Sequence, residues 1–291
     1  MAYASDRAYL DADSHLMERP EFLRDFAEAK FRDQLEPLNG GALDRYNETW
    51  EETVAHDGHS GERVAEMVAL GDSLIAGPKG YLALGAFNAA ERAQALNQLG
   101  FQEQLVFSTF SASQTFYGDN IPLKYGAAAA HNRAMADFCA ADPRLHGVGA
   151  VPLDDPDSAC AELDQLLSLD LKAAWVSHSA CGGRSPGHNA FDPVWAKLAE
   201  AGVPVVLHVG GEPLQVDPAW MNTGRPQPTD WLGGGENVRG KDMLALHHNA
   251  ELFLGAMIFD GVFERHPTLR GGAIELGAGW VPSWLRRLDW A

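Results

Sequence analysis

The chain has 291 residues, 46% of them hydrophobic, and sets 22 Lys and Arg against 40 Asp and Glu for a net charge of −18. That is ample for a buried core, and the length allows one large or two ordinary domains. The acidity excludes nucleic acid and anionic membrane surfaces as expected partners, since both would be repelled on average.

In chain order, AYLDADS (8–14) reads as a first strand. A long polar insertion (16–102), partly helical in EFLRDFAEAKFRDQL, follows it. Further apolar, β-favouring runs predict strands at 103–110, 145–153, 171–177, 202–210 and 269–276. Between them, amphipathic stretches predict helices at 124–143, 155–169, 191–202, 247–267 and 280–291. A Gly/Pro/Asn-rich loop (211–240) follows the fifth strand, and long loops of this kind commonly serve function. Alternating helices and continuously apolar strands indicate α/β architecture with a parallel sheet. A doubly wound sheet would usually carry a Gly-rich phosphate loop after its first strand, and none is present. A distorted TIM-like (β/α)8 barrel is therefore expected, as a single domain over 1–291, with about six of its eight strands in this chain.

Barrels of this kind place their chemistry at the C-terminal ends of the strands. Alternate strand residues point the same way, so Asp13 and His15 face the barrel mouth together. His208, ending VPVVLHV, reaches the same mouth from the fifth strand. One carboxylate and two imidazoles suit a divalent ion with an open position, although each residue alone could be an ordinary cap or strand-end histidine. Glu275, in the turn AIELGAGW, is either a proton carrier, a support for a metal ligand, or a structural carboxylate. His178 borders the mouth from the loop SHSACGGRSPGH, with His188 a weaker candidate. His247 and His248 open the apolar helix, where one can face the site. Arg144 reads as a structural ion-pair residue. His56, His59, His131, His146 and His266 read as surface or packing residues. Cys139, Cys160 and Cys181 are odd in number, fit no zinc spacing and carry no nucleophile signature. The N-terminus lacks a signal-peptide core, and no run reaches the roughly 20 apolar residues of a membrane span, so a cytoplasmic location is expected.

Three segments carry a resemblance: DADSHLMERP; the run from HNRAMADFCAADPRLHGVGAVPL to FDPVWAKLAEAGVPVVLHVGG; and GAMIFDGVFERHPTLRGGAIELGAGWVPSWLRRLD. The chain resembles the amidohydrolase superfamily, in the branch related to aminocarboxymuconate-semialdehyde decarboxylase. The resemblance implies a distorted β/α barrel holding one divalent metal, zinc being the expected ion and manganese or iron the alternatives. It implies Asp13, His15 and His208 as ligands. Where many relatives have a histidine ending strand six, Glu275 stands at or beside the place. Where some decarboxylases have a histidine in the preceding helix, Phe253 stands, with His247 and His248 about a turn or more earlier. The family's last ligand, an Asp ending strand eight, has no counterpart, which suggests a fragment of a longer protein.

The leading expectation is a metal-dependent hydrolase that attacks a small carbonyl or carboxylate compound with metal-activated water. Glu275 or His248 would carry the proton, and His178 and His247 would contact substrate. The alternatives are a non-oxidative decarboxylase of an aromatic or muconate-like acid, or an inactive fragment serving as a binding or scaffold module. The expected partner is a small-molecule substrate, with a homodimer as the assembly relatives suggest.

Overall fold

Both faces of the central strands are apolar because each face feeds a different core. Phe107 of β2 (Glu103–Ser108), Val148 and Ala150 of β3 (Leu145–Val151), Ala173 and Trp175 of β4 (Ala173–Val176) and Val206 of β5 (Val205–His208) pack together on one side. Their alternates Val106, Val151, Ala174, Val176, Val205 and Leu207 join the larger core on the other side, with Leu163, Leu166, Trp195 and Leu198 of the covering helices. This doubly buried pattern belongs to a parallel sheet under a helical layer.

The structure is a computed structural model that describes residues 3–4, 8–38, 54–179, 181–211, 216–225 and 240–291. Residues 39–53 of the predicted insertion, and 212–215 and 226–239 of the predicted loop, lie outside that set. With β1 (Leu10–Leu16) and β6 (Gly271–Ile274), the described strands form one parallel sheet in the order β1-β2-β3-β4-β5-β6. The sheet curls strongly. Four inter-strand steps would separate β1 from β5 by about 19 Å in a flat sheet, yet His15 Nε2 lies 3.2 Å from His208 Nε2. The curl turns the Phe107–Trp175 side inward, as expected of a barrel-like fold.

Local signals explain the helices. Asn120 accepts from the Leu123 N–H and opens Ile121–Cys139 with a proline in the first turn; Asp155 does the same for Pro156–Ser168 through Ser158 N–H. Gly202, with φ +67°, ends Asp192–Ala201. In β3 the alternating glycines of LHGVGAV face this helical layer. A Cβ at Gly149 would stand 2.5 Å from Leu166 Cδ1, and one at Gly147 2.7 Å from Leu171 Cδ2. Only glycine permits that approach.

Two sequence expectations need correction. The first strand is Leu10–Leu16, not 8–14. The expected helix over 247–267 is two helices, His248–Phe259 and Val262–Arg265, because Gly261 takes φ +70° and breaks the ladder. The insertion is also less polar in role than in composition. It contributes Leu23, Met67, Tyr81 and Leu96 to the buried set and the helix Ala89–Leu99, capped by Asn88. Arg144 pairs with Asp142 at 2.6 Å, as expected, and no two cysteines are bonded. No described helix is long and apolar enough to cross a membrane.

A buried polar network pins the long helix to the sheet. Asn132 accepts from Ala150 N–H at 2.7 Å and donates to Ala150 O and to Glu162 Oε1, so it stands in for a neighbouring strand. His131 bridges Asn132 and Ser108 Oγ; burial pushes its pKa down to about 4. Burial pushes Glu162 up to about 7, against the hydrogen bond from Asn132. The unfolded Glu162 ionises from about pH 4.5, while the folded one keeps its proton until about pH 7. Its contribution to stability is therefore present below pH 4.5 and lost as pH rises through 7. Glu162→Gln, which keeps the acceptor and removes the charge, is expected to match wild type in urea unfolding at pH 4.5. At pH 8 it is expected to exceed wild type by about 3 kcal/mol; equal stability at both pH values would refute the assignment.

Candidate metal centre

Three strand ends deliver one cluster. Asp13 and His15 come from β1, His208 ends β5, and Glu275 follows β6; one donor atom from each lies within 4.8 Å of every other. His208 Nε2 is 3.1 Å from Asp13 Oδ1 and 3.4 Å from Glu275 Oε2. His15 Nε2 is 3.4 Å from Asp13 Oδ1 and 3.9 Å from Glu275 Oε2. The sequence reading placed the first three residues together; the structure adds Glu275 to their group.

Each donor has a local cause. The β1–β2 register shifts between Asp11 and Ser14, so Ala12 and Asp13 together oppose Leu105. This is a bulge, a device that re-aims a side chain. Asp11 stabilises it: its Oδ1 accepts the Asp13 N–H at 3.1 Å and its Oδ2 accepts from Gln104 at 2.9 Å. Arg92, buried in the helix Ala89–Leu99, donates to the His15 carbonyl and to Ser14 Oγ and so clamps the strand end. Beneath the imidazoles lies an aromatic floor, with Phe107 4.3 Å and Trp175 5.3 Å from the His208 ring centroid. Glu275 sits at φ +58°, in the left-handed region that disfavours residues with a Cβ. Strain of this kind, about 1 kcal/mol or more, persists where the surroundings over-determine it.

The electrostatics call for positive charge at the centre. Burial alone would raise the Asp13 carboxyl, but the hydrogen bonds from His15 and His208 outweigh it and hold its pKa well below the usual carboxylate range. Burial opposes protonation of His15, yet its bond to Asp13 and the charges of Glu275, Asp13 and Glu18 raise its pKa. His208 donates Nδ1–H to the Val209 carbonyl at 2.6 Å, so Nε2 is the nitrogen that faces the cluster, where it shares a proton with Asp13 or, without that proton, offers its lone pair. Two imidazole nitrogens facing each other at 3.2 Å between two carboxylates are held together by positive charge, supplied by a proton shared with Asp13 or by a divalent cation in its place. Donors about 2.0–2.2 Å from a single ion lie roughly 3.0–3.5 Å from one another. Four of the separations above, 3.1–3.4 Å, fall in that range and the fifth, 3.9 Å, lies just beyond it, and the mixed N and O donors suit a divalent ion.

The other candidates are placed as follows. His178, just past β4, is buried near this centre, and burial together with the His208 charge pushes its pKa down to about 4. His247 and His248 are not in the four-residue group. Their rings contact each other at 4.8 Å in a cleft of about 530 Å³ with Glu251, Trp280 and Arg287, where His247 pairs with Glu251. His188 caps a short turn through Ala190 N–H. Sequence reading missed four supporting residues: Asp11 and Arg92, already described; Thr109, whose Oγ1 lies 3.2 Å from His15 Nδ1; and Glu18, which accepts the Thr109 N–H at 2.8 Å. Glu18 alone left a signal, a carboxylate between an apolar strand and a proline.

The Amidohydrolase family model matches residues 82–291, and the chain belongs to that family. Gamma-resorcylate decarboxylase of Rhodococcus jostii is 32% identical over 168 residues, covering 54% of this chain and 47% of that protein. The chain thus spans about half the length of this curated relative. Among solved structures, an amidohydrolase of Mycobacterium avium subsp. paratuberculosis superposes with TM-score 0.67 at 22% identity, over 98% of this chain and 77% of its own. A 5-carboxyvanillate decarboxylase of Novosphingobium aromaticivorans, complexed with manganese and 4-hydroxy-3-methoxy-5-nitrobenzoic acid, superposes with TM-score 0.58 at 19% identity, over 98% and 69%. These likenesses agree with the curled parallel α/β sheet, a half-barrel, described above.

The strained position of Glu275 makes a stability trade-off testable. Glu275→Asn tolerates the left-handed backbone and removes one of two crowded carboxylates. In chelator-treated protein it is expected to raise unfolding free energy by up to about 1 kcal/mol. The stabilisation that added manganese gives wild type should shrink in the same variant. A metal-free stability below wild type would show that Glu275 is not strained in this way.

Proposed function

We propose that this chain carries the metal-binding part of a non-oxidative carboxy-lyase acting on a small hydroxylated aromatic acid. The observation that carries the reading is the Asp13–His15–His208–Glu275 donor group at the mouth of a curled amidohydrolase-family sheet. Sequence reading put hydrolysis first. The donor set suits either reaction, and the activity named for the Rhodococcus relative favours decarboxylation.

Asp13, His15, His208 and Glu275 would hold one divalent cation. The two carboxylate oxygens harden the site, which suits manganese, the ion bound in the Novosphingobium enzyme, at least as well as zinc. When bound, the cation supplies a Lewis acid for the substrate carboxylate and a neighbouring hydroxyl oxygen. The chain's own residues set the rest. Glu275 serves as the fourth donor in this reading instead of the proton carrier. His178 is held neutral by burial, so it meets the substrate as a hydrogen-bonding group without a charge of its own. Phe107 and Trp175 close the floor beneath His208 and keep water from entering below. Side-chain exposure rises from 2% at His208 to 37% at Asp13, so the cluster opens on the Asp13 side. A separate cavity of about 630 Å³, beside the end of β1 and lined by Glu18, Phe22, Phe26 and Phe138, contains none of the four donors and is not assigned to substrate.

The test offers gamma-resorcylate and 5-carboxyvanillate, each labelled with ¹³C in the carboxyl group, to the manganese-loaded chain. Labelled carbon dioxide and the ring product are expected in equal amounts, falling by on the order of 100-fold or more in His208→Ala. Failure to release carbon dioxide, with His208-dependent cleavage of an amide or lactone instead, would return the hydrolase reading.

A further inference from the structure

The side of His15 that faces away from the cluster is held by a residue with no role in the proposal so far. His15 Nδ1 lies 3.2 Å from Thr109 Oγ1, just past β2. The same hydroxyl lies 2.8 Å from the Leu16 carbonyl. A carbonyl can only accept, so the single hydroxyl proton goes to Leu16. Toward His15 the oxygen is left as an acceptor, and the hydrogen on that edge belongs to Nδ1. The Nε2 lone pair is thereby turned toward Asp13, His208 and Glu275, as the Val209 carbonyl turns that of His208.

Thr109 is itself gripped. The side chain of Glu18, fully buried, accepts the backbone N–H groups of Thr109 at 2.8 Å, Phe110 at 3.0 Å and Ser111 at 2.9 Å. Tyr81, buried in the insertion, fixes the Glu18 carbonyl with its hydroxyl at 2.7 Å. Three N–H bonds to one carboxylate fold 109–111 into a rigid turn, and the turn sets where Oγ1 stands.

We propose that Thr109 is a positioning residue for the metal centre, selecting the Nδ1–H tautomer of His15, and that Glu18 holds Thr109 in place. The proposal rests on the metal reading above and concerns a residue outside the donor set. Outer partners of ligating histidines are typically worth about 10–100-fold in metal affinity.

Thr109→Val keeps the shape and removes the oxygen; Thr109→Ser keeps the oxygen. Manganese affinity, measured by titration of the chelator-treated full chain, is expected to fall about 10–100-fold in Thr109→Val and to stay within about threefold of wild type in Thr109→Ser. In metal-free protein, at a pH high enough to leave His15 neutral, long-range ¹⁵N–¹H correlations should show His15 as the Nδ1–H form in wild type and Thr109→Ser, and a shift toward Nε2–H in Thr109→Val. Equal affinity and the same tautomer in Thr109→Val would overturn the proposal, and so would a Thr109→Ser variant as impaired as Thr109→Val. Absence of manganese and zinc binding by wild type would instead overturn the metal reading itself, with the tautomer data still separating the two failures.

Discussion

Two imidazole nitrogens and two carboxylates meet within 5 Å at the mouth of this sheet, and the rest of the fold is arranged around keeping them there. Such a group is costly without a compensating cation, because like-charged and lone-pair-bearing atoms are crowded where water is scarce. The curl of the sheet is what makes the meeting possible, since β1 and β5 would stand far apart in a flat one. Curl, in turn, needs side chains that fill the concave side without spare volume. Phe107 and Trp175 fill it, while the small residues Ala150 and Ala173 let neighbouring strands close on them. The packing that bends the sheet is thus also the floor that orients the His208 ring.

The insertion between β1 and β2 takes part in the same task. Its described portion reaches β1 from the outside: Arg92 caps the carbonyl of His15, Tyr81 fixes Glu18, and a buried His59–Glu91 pair at 2.7 Å ties the start of the Arg92 helix to Tyr81 through its carbonyl. A long polar segment after the first strand invites the reading of a lid. Its buried polar side chains instead act as struts: Arg92 is satisfied by the carbonyl of His15 on the strand that bears two donors, Tyr81 by that of Glu18 just past it, and His59 by Glu91 and the Tyr81 carbonyl.

Continuous apolar runs made the strands legible, because a strand buried on both faces leaves few other patterns open. Asp13, His15 and His208 were legible for the same reason: each is a polar residue ending a run that is otherwise apolar. Glu275 was visible as a candidate but not as a member of the group. Its aim depends on a left-handed φ in a residue that usually avoids it, and no local signal announces that. The β1 bulge is equally silent, since Asp11 supports it only once Gln104 of the neighbouring strand is in register. Thr109 was unreadable because its value lies in which neighbours its hydroxyl touches, a tertiary fact. The break at Gly261 was readable in principle from the Asp-Gly pair, but the apolar periodicity on both sides hid it.

The donors and the sheet depend on each other. Asp13 and His15 lie on β1 and Glu275 follows β6, the outermost strands of the described sheet, and His208 sits between them on a short, fully buried strand. A cation held by all four would tie the two sides of the curl together. Part of its binding free energy is then spent on closing the sheet and holding Glu275 in its strained conformation, and the remainder appears as affinity. The same coupling works in reverse. Whatever stiffens the curl, from the aromatic floor to the Glu18 turn, lowers the cost of assembling the donors and strengthens the site without touching the ion.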